Sequence, residues 1–262
     1  MEANKKNQNL TSVGNALNIL NCFSVEQPEK RVTDIARELG LGKSTVSRLL
    51  ATLASEGYVK KDPETQKFSL GLRILSLAST LTSNLEIVRE ARPVLQQLVQ
   101  ETSESAQIAE LEGNRMIYVD QVKCKQPIRI LAHIGRINPI YCTSSGRLLL
   151  AYQSEKRQQE VLSGELIKYT PDTETDPIKI QKDLETIKNQ GYCILANEFI
   201  EEVVSISAPI RDYRDRVISA ISVVGPINRI TPEKLSFYRS RVQNASREIS
   251  KKMGCISKNI DE

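Results

Sequence analysis

The sequence predicts an α+β protein in two parts. A winged helix-turn-helix comes first, then a linker helix, then a domain of mixed helices and strands built on a largely antiparallel sheet. Three observations carry that expectation. Three short helical patterns and a lysine-bearing hairpin are packed into residues 11–70. After residue 104 the apolar period changes from helical spacing to alternation. The later strands then recur in groups separated by helices, an order that favours antiparallel pairing over a wound parallel sheet.

Composition sets outer limits. With 262 residues, 40% hydrophobic and 26% charged, the chain can bury one large core or two ordinary ones and is not a disordered tail. A net charge of +4 is too small for a protein held to polyanions by bulk charge, so any nucleic-acid contact must be local. Residues 1–80 carry 11 Lys+Arg against 8 Asp+Glu, a modest excess. The five cysteines, Cys22, Cys124, Cys142, Cys193 and Cys255, are widely spaced and form no C-x-x-C, so neither a disulfide framework nor a zinc site is expected. No secretory leader or membrane-length apolar run is visible. The expectation is a cytoplasmic protein with no membrane partner, no metal and no cofactor.

Residues 1–10 are polar and expected to be disordered. "TSVGNALNILNCF" sets Val13, Ala16, Leu17, Leu20 and Phe23 at helical spacing, with Thr11 or Ser12 as N-cap. "VTDIARELG" gives a second helix capped by Thr33 and stopped by Gly40, with Ile35, Ala36 and Leu39 inward. "KSTVSRLLATLASEG" is the third. Tyr58–Lys61 and Lys67–Leu70 read as strands around the turn Asp62-Pro63-Glu64-Thr65. These elements bound a first domain over 11–72. A linker helix over 73–92 follows, its apolar stripe running through Leu72, Leu75, Leu81, Leu85 and Val88, and Pro93 marks a break or a new start. The second domain is expected over 93–257. Within it "SAQIAEL", "RMIYVDQV" and "IRILAH" are strands, "SSGRLLLAYQ" is a helix, and helices follow near 154–163 and 177–190. "YCILANEF", "VVSISAPI" and "VISAISVVG" return to strand before a closing helix from Thr231 to Gly254.

"GLGKSTVSRLL" admits two chemistries. Gly42-Lys43-Ser44 resembles the end of a phosphate-cradling loop, but that loop needs a glycine where Arg37 stands and a buried strand before it. A dinucleotide fingerprint fails at Thr45. As a helix, the segment puts Val46, Leu49, Leu50 and Leu53 on one stripe, leaving Ser44, Arg48, Ala51 and Ser55 opposite with Thr45 and Ser47 beside them. That outward face is small, hydroxyl-bearing and free of bulky apolar groups, so it can enter a major groove. Lys43 and the amides of the helix start suit phosphate. Arg48 suits a bidentate contact with guanine, Ser44, Thr45 and Ser47 reach base edges or phosphates, and Lys60, Lys61 and Lys67 on the wing meet backbone or minor groove. A solvated face that touches nothing is the bland alternative.

These segments, "VTDIARELGLGKSTVSRLLATLASEGYV" and "KFSLGLRILSLA" above all, resemble the DNA-binding half of the IclR family of bacterial transcriptional regulators. "IGRINPIYCTSSGRLLLAY", "GYCILANE" and "SISAPIRDYRDRVISAISVVGP" resemble its second half in the same order. The resemblance implies a GAF-like effector domain, dimers often paired into tetramers, a palindromic double-stranded DNA operator, and a small organic acid as effector of a repressor. It places the effector site at Leu131, Tyr141, Ser145, Gly146, Leu195, Val203 and Ser205, with main-chain amides at Ser145-Gly146 receiving the acid. Leu195 and Ser205 depart from the acidic residue and cysteine of small-keto-acid members, and "RINPIY" with the closing helix looks closer to regulators of sugar-acid breakdown.

Two rivals are weighed against this reading. A cysteine-dependent hydrolase would need Cys142 and the single histidine, His133, to meet; no G-x-S-x-G motif is present. A small-molecule-binding protein with a protein-docking winged helix would want anchor aromatics that the third helix lacks. The expectation is a regulator and not an enzyme.

Overall fold

The computed structural model describes residues 11–126 and 133–256. The expected disorder of 1–10, most of the "IRILAH" strand, Leu131 and the last residue of the expected second domain lie outside them. The chain divides into two compact units, Met1–Asn84 and Leu85–Glu262.

The first unit contains α1 (Thr11–Asn21), α2 (Val32–Leu39), α3 (Lys43–Ser55), the hairpin strands β1 (Val59–Lys61) and β2 (Phe68–Leu70), and α4 (Leu72–Asn84). Its core joins Ile19 and Cys22 to Ile35, Ala36, Val46, Leu50, Val59 and Phe68. The stripe expected on α1 is therefore set differently. Ile19 is buried, whereas Val13 and Leu17 stay 52% and 56% exposed. A three-turn helix with apolar residues on two sides allows either stripe, and packing on α3 selects Ile19.

Helix α2 begins two residues early, with Arg31 at its N-cap, so Thr33 is not its cap. The Arg31 amide donates to the Asp34 carboxylate at 3.3 Å, closing the start from outside. Gly40 ends the helix at φ 63°, the left-handed position glycine fills without strain. Asp62 shapes the wing turn: its Oδ1 accepts from the Glu64 amide at 2.9 Å and the Thr65 amide at 2.7 Å. These donors hold the Asp62 carboxyl below its ordinary range. Lys30 pairs with Phe68 across two backbone hydrogen bonds of 2.8 and 2.9 Å, seating the wing against the segment before α2.

The second unit opens with α5 (Glu86–Thr102). The single linker helix expected over 73–92 is instead two helices, because Leu85 turns extended at φ −80°, ψ 101° before α5 starts. Pro93 neither breaks nor starts a helix but sits inside α5. Burial of Ile87, Ala91, Val94, Leu95 and Leu98 outweighs one missing backbone bond.

Among the described residues six strands follow: β3 (Ser105–Glu112), β4 (Arg115–Val122), β5 (Ile137–Pro139), β6 (Cys193–Ala196), β7 (Val203–Arg211) and β8 (Val217–Pro226). They form one sheet in the order β5-β4-β3-β8-β7-β6, with every neighbouring pair antiparallel. One face packs on α5 and α9 (Leu235–Lys252) through Ile108, Ile206, Ile221, Val223 and Val242. The other face packs on α6 (Ser144–Ala151), with α7 (Glu155–Leu162) and α8 (Pro177–Gln190) outside it. Alternation in the strands supplies both faces, so the sheet is buried on each side.

Candidate functional site

Two places carry chemistry, one in each unit. In the first, α3 turns Val46 and Leu50 fully inward and half-buries Leu49 and Leu53. Lys43, Ser44, Thr45, Ser47, Arg48, Ala51 and Ser55 are exposed. Gly42, extended at φ −64°, ψ 137°, precedes the helix without a capping side chain, so the first amides of α3 are not closed off by their own N-cap. On the wing, Lys60 and Lys61 are exposed, and the Lys61 ammonium lies 5.8 Å from the centroid of the Phe68 ring. Lys67 is half-buried, its ammonium 4.0 Å from a Glu29 oxygen.

In the second unit a cavity opens between the sheet and the start of α6. Its polar lining includes Gln107 from β3, Tyr118 from β4, Arg136, Asn138 from β5, and Thr143, Ser144 and Ser205. Its apolar lining includes Leu195, Phe199, Ile200, Val203 and Val224. Positions 203 and 205 on β7 and 224 on β8 face this cavity because they alternate with the residues buried against α5 and α9. Ser144 and Ser205 share a short hydroxyl–hydroxyl hydrogen bond across its wall.

Of the residues the resemblance assigned, Leu195, Val203 and Ser205 line this cavity. Ser145 and Gly146 do not. The Gly146 amide donates to the Thr143 hydroxyl at 3.2 Å, as in an ordinary capped helix. A Cβ at Gly146 would stand 2.5 Å from the Ile140 carbonyl and 2.7 Å from its Cα, so glycine is set by close backbone approach. Gly146→Ala is expected to cost about 1–3 kcal/mol in chemical denaturation; an unchanged midpoint would show that the approach relaxes freely. Tyr141 lines a separate groove with Ile137, Ile167 and Tyr169, and its hydroxyl donates to the Ile167 carbonyl at 2.6 Å.

Sequence reasoning missed Gln107, Tyr118, Arg136, Asn138, Phe199 and the pair that braces the cavity. Arg147 on α6 is 1% exposed and grips Glu198 with two nitrogen–oxygen contacts of 2.8 and 2.5 Å. Its Nε donates to the Tyr141 carbonyl at 2.7 Å. Burial lifts the Glu198 carboxyl above its ordinary value even though Arg147 pulls it down. The following segment is pinned at its own backbone. Thr170 Oγ1 donates to the Asn197 carbonyl at 2.5 Å and Thr173 Oγ1 to the Glu198 carbonyl at 2.6 Å. Phe199 meets Tyr169 edge to face at 5.0 Å.

Cys142 is 1% exposed, and its thiol is pushed up to about 12 by burial and then by the Glu198 charge. The groups acting on it are Glu198 and Arg147, not His133. A thiol held in that state supplies almost no thiolate near neutrality. Among the described residues no cluster of His, Cys, Asp and Glu could hold a metal ion, and no helix is long and apolar enough to cross a membrane.

A small-residue helix face on a winged scaffold, carried in one chain with a largely apolar cavity that holds a few polar groups, is the organisation of a ligand-responsive transcriptional regulator. Comparison with known proteins agrees in both halves. Residues 12–63 match the IclR helix-turn-helix domain, and residues 79–251 match the bacterial transcriptional regulator IclR C-terminal domain. The chain belongs to the IclR family of bacterial transcriptional regulators. It is 28% identical over 246 residues to the HTH-type transcriptional regulator XynR of Escherichia coli K12, covering 94% of this chain and 98% of that one. It is 29% identical over 254 residues to KdgR of the same organism, covering 97% and 96%. An IclR homolog from Microbacterium hydrocarbonoxydans, solved in complex with 4-hydroxybenzoate, superposes with a TM-score of 0.81 at 26% identity, covering 92% of this chain and 98% of that one.

Proposed function

We propose that the protein is a dimeric repressor whose α3 reads an operator and whose second unit binds a small organic acid that changes operator affinity. The Ser44–Arg48 turn supports this reading, because Ser44, Thr45, Ser47 and Arg48 are exposed while Val46 and Leu50 anchor the rod, an arrangement that suits a major groove. Arg48 takes a guanine edge, Lys43 and the α3 amides take phosphate, and Ser44, Thr45 and Ser47 fill the remaining contacts. Lys60, Lys61 and Lys67 hold the backbone beside the wing. Replacing Lys60 and Lys61 together by alanine is expected to weaken binding evenly across operator variants and to reduce the salt slope by about two. A loss confined to particular base pairs would contradict a backbone role.

A pair of such heads is favoured by the apolar surface of the first unit. Leu72, Leu75 and Leu81 on α4 are 84%, 66% and 62% exposed, apolar surface that costs free energy unless something covers it. Two heads spaced about one duplex turn apart also multiply discrimination. Sedimentation at micromolar concentration is expected to return twice the chain mass; monomers would sink the paired reading.

The acid is favoured by Arg136 and the hydroxyls of Thr143, Ser144 and Ser205 in a cavity whose other lining includes Leu195, Phe199, Val203 and Val224, and whose one carboxylate, Glu198, is engaged by Arg147. The homolog solved with 4-hydroxybenzoate binds an acid of this general kind. The protein then acts in the cytoplasm by binding alone, without metal, cofactor or catalytic step. The effector must bind DNA-competent and incompetent states unequally. Titration of labelled upstream DNA with and without a panel of sugar acids and aromatic acids tests this reading. A shift in operator affinity with at least one acid is expected; acids that bind the protein yet leave operator affinity unchanged would contradict it.

A further inference from the structure

Lys30 is 8% exposed, a place lysine rarely takes unless its ammonium is paired. The partner is Glu38, whose carboxylate oxygen lies 2.5 Å from the Lys30 ammonium. Lys30 stands just before the Arg31 N-cap of α2 and Glu38 stands in the last turn, so the ion pair runs along the whole helix. Helix α2 is in turn seated on α3, because Ile35 and Ala36 share a core with Val46 and Leu50.

The backbone of the same lysine faces the wing. Its amide donates to the Phe68 carbonyl at 2.9 Å, and its carbonyl accepts from the Phe68 amide at 2.8 Å. Phe68 is the residue directly opposite Lys61 in the β1–β2 ladder, and Ser69 beside it is opposite Lys60. The neighbouring Glu29 carboxylate lies 4.0 Å from the Lys67 ammonium just before β2. One residue thus joins the helix pair that presents the groove-facing side chains to the hairpin that presents Lys60 and Lys61. Lys30 is itself too buried to meet a phosphate, so its effect on DNA must pass through the wing.

We propose, resting on the wing reading above, that Lys30 is a positioning residue: through Glu38 and Phe68 it sets the register of the wing against α2 and α3. Lys60 and Lys61 then meet the duplex backbone while α3 occupies the groove.

Operator titrations of the full-length protein over a range of salt, arranged as a double-mutant cycle, test this. In the parent, replacing Lys60 and Lys61 by alanine reduces the salt slope by about two. In Lys30→Met, and likewise in Glu38→Ala, the same replacement is expected to reduce it by less than about one, because a wing out of register already makes fewer phosphate contacts. Lys30→Met keeps the apolar stem and both backbone bonds, and it leaves a half-exposed Glu38 free to be hydrated. The two variants shift the net charge in opposite directions, which separates position from bulk charge. Positioning predicts weaker operator binding from both, with the preference among single-base operator variants kept. The exchange Lys30→Glu/Glu38→Lys, which restores an ion pair, is expected to return the slope change of Lys60 and Lys61 toward about two.

A full reduction of about two in both the parent and Lys30→Met overturns the proposal and leaves the wing contacts standing. Weaker binding from Lys30→Met with tighter binding from Glu38→Ala overturns it in favour of bulk charge. A parent slope unmoved by losing Lys60 and Lys61 removes the wing reading and the proposal together. If Glu38→Ala fails to fold, with the Lys30 ammonium left unpaired, the Lys30→Met cycle decides alone.

Discussion

Arg48→Ala is expected to cost about 1–3 kcal/mol of operator discrimination, roughly 5- to 150-fold per half-site, and to relax the sequence preference at one base pair. The expectation follows from position. Arg48 sits on the exposed side of α3, one residue from the exposed Ser47 and two from the buried Val46 and Leu50. Ser44, Thr45, Ser47, Ala51 and Ser55 around it are all small, so the guanidinium is the longest reach that this face has. Removing it takes away the one fork on this face able to make a bidentate contact with a base, and leaves the exposed Lys43 in place. The variant should therefore bind more weakly and lose its preference at one base pair while keeping it at the others. A panel of single-base operator variants reads this directly: the parent separates them, Arg48→Ala does not separate them at one position. Identical profiles for both proteins would move the specificity elsewhere on α3.

Arg147→Met is expected to destabilise the second unit by about 3–5 kcal/mol, because Glu198 would then be left nearly buried and without its cation. For a domain of this size that lowers the melting temperature on the order of ten degrees. The pair also fixes the cavity. Glu198 is continuous with Phe199 and Ile200, which form part of the wall, so the same change should weaken acid binding. The discriminating measurement is the double variant Arg147→Met/Glu198→Met. Removing both charges should recover part of the loss, since the cost lies in the unpaired ion and not in the absence of the bridge. A double variant no more stable than Arg147→Met would mean that shape at Arg147, with its bond to the Tyr141 carbonyl, matters more than charge.

How far these features could be read in the sequence follows from their range along the chain. The α3 face was legible because Val46, Leu49, Leu50 and Leu53 lie within one helix and share its period. The sheet domain was legible as alternation, and Gly40 as a helix stop. Where two solutions satisfy the same period, the sequence did not decide: Val13 and Leu17 offered a stripe as good as the one through Ile19 that the core took. Pro93 misled for a related reason, since a local penalty was outweighed by burial that depends on α9 and the sheet.

The cavity was least legible. Gln107, Tyr118, Asn138, Phe199 and Ser205 come from separate strands and a connection, and no spacing joins them. A weak signal existed: Gln107 interrupts the apolar run Ala106–Ala109, and a polar side chain inside a buried strand asks for a partner. The Arg147–Glu198 pair, 51 residues apart, left no local trace.

The hydroxyl-and-arginine face of α3 is proposed to recognise a DNA sequence. Titration of the full-length protein against its own upstream duplex, beside a shuffled duplex of equal length and composition at one fixed salt concentration, tests it most directly. At least a thousandfold preference for the native duplex is expected. Equal affinity for the two would contradict the account.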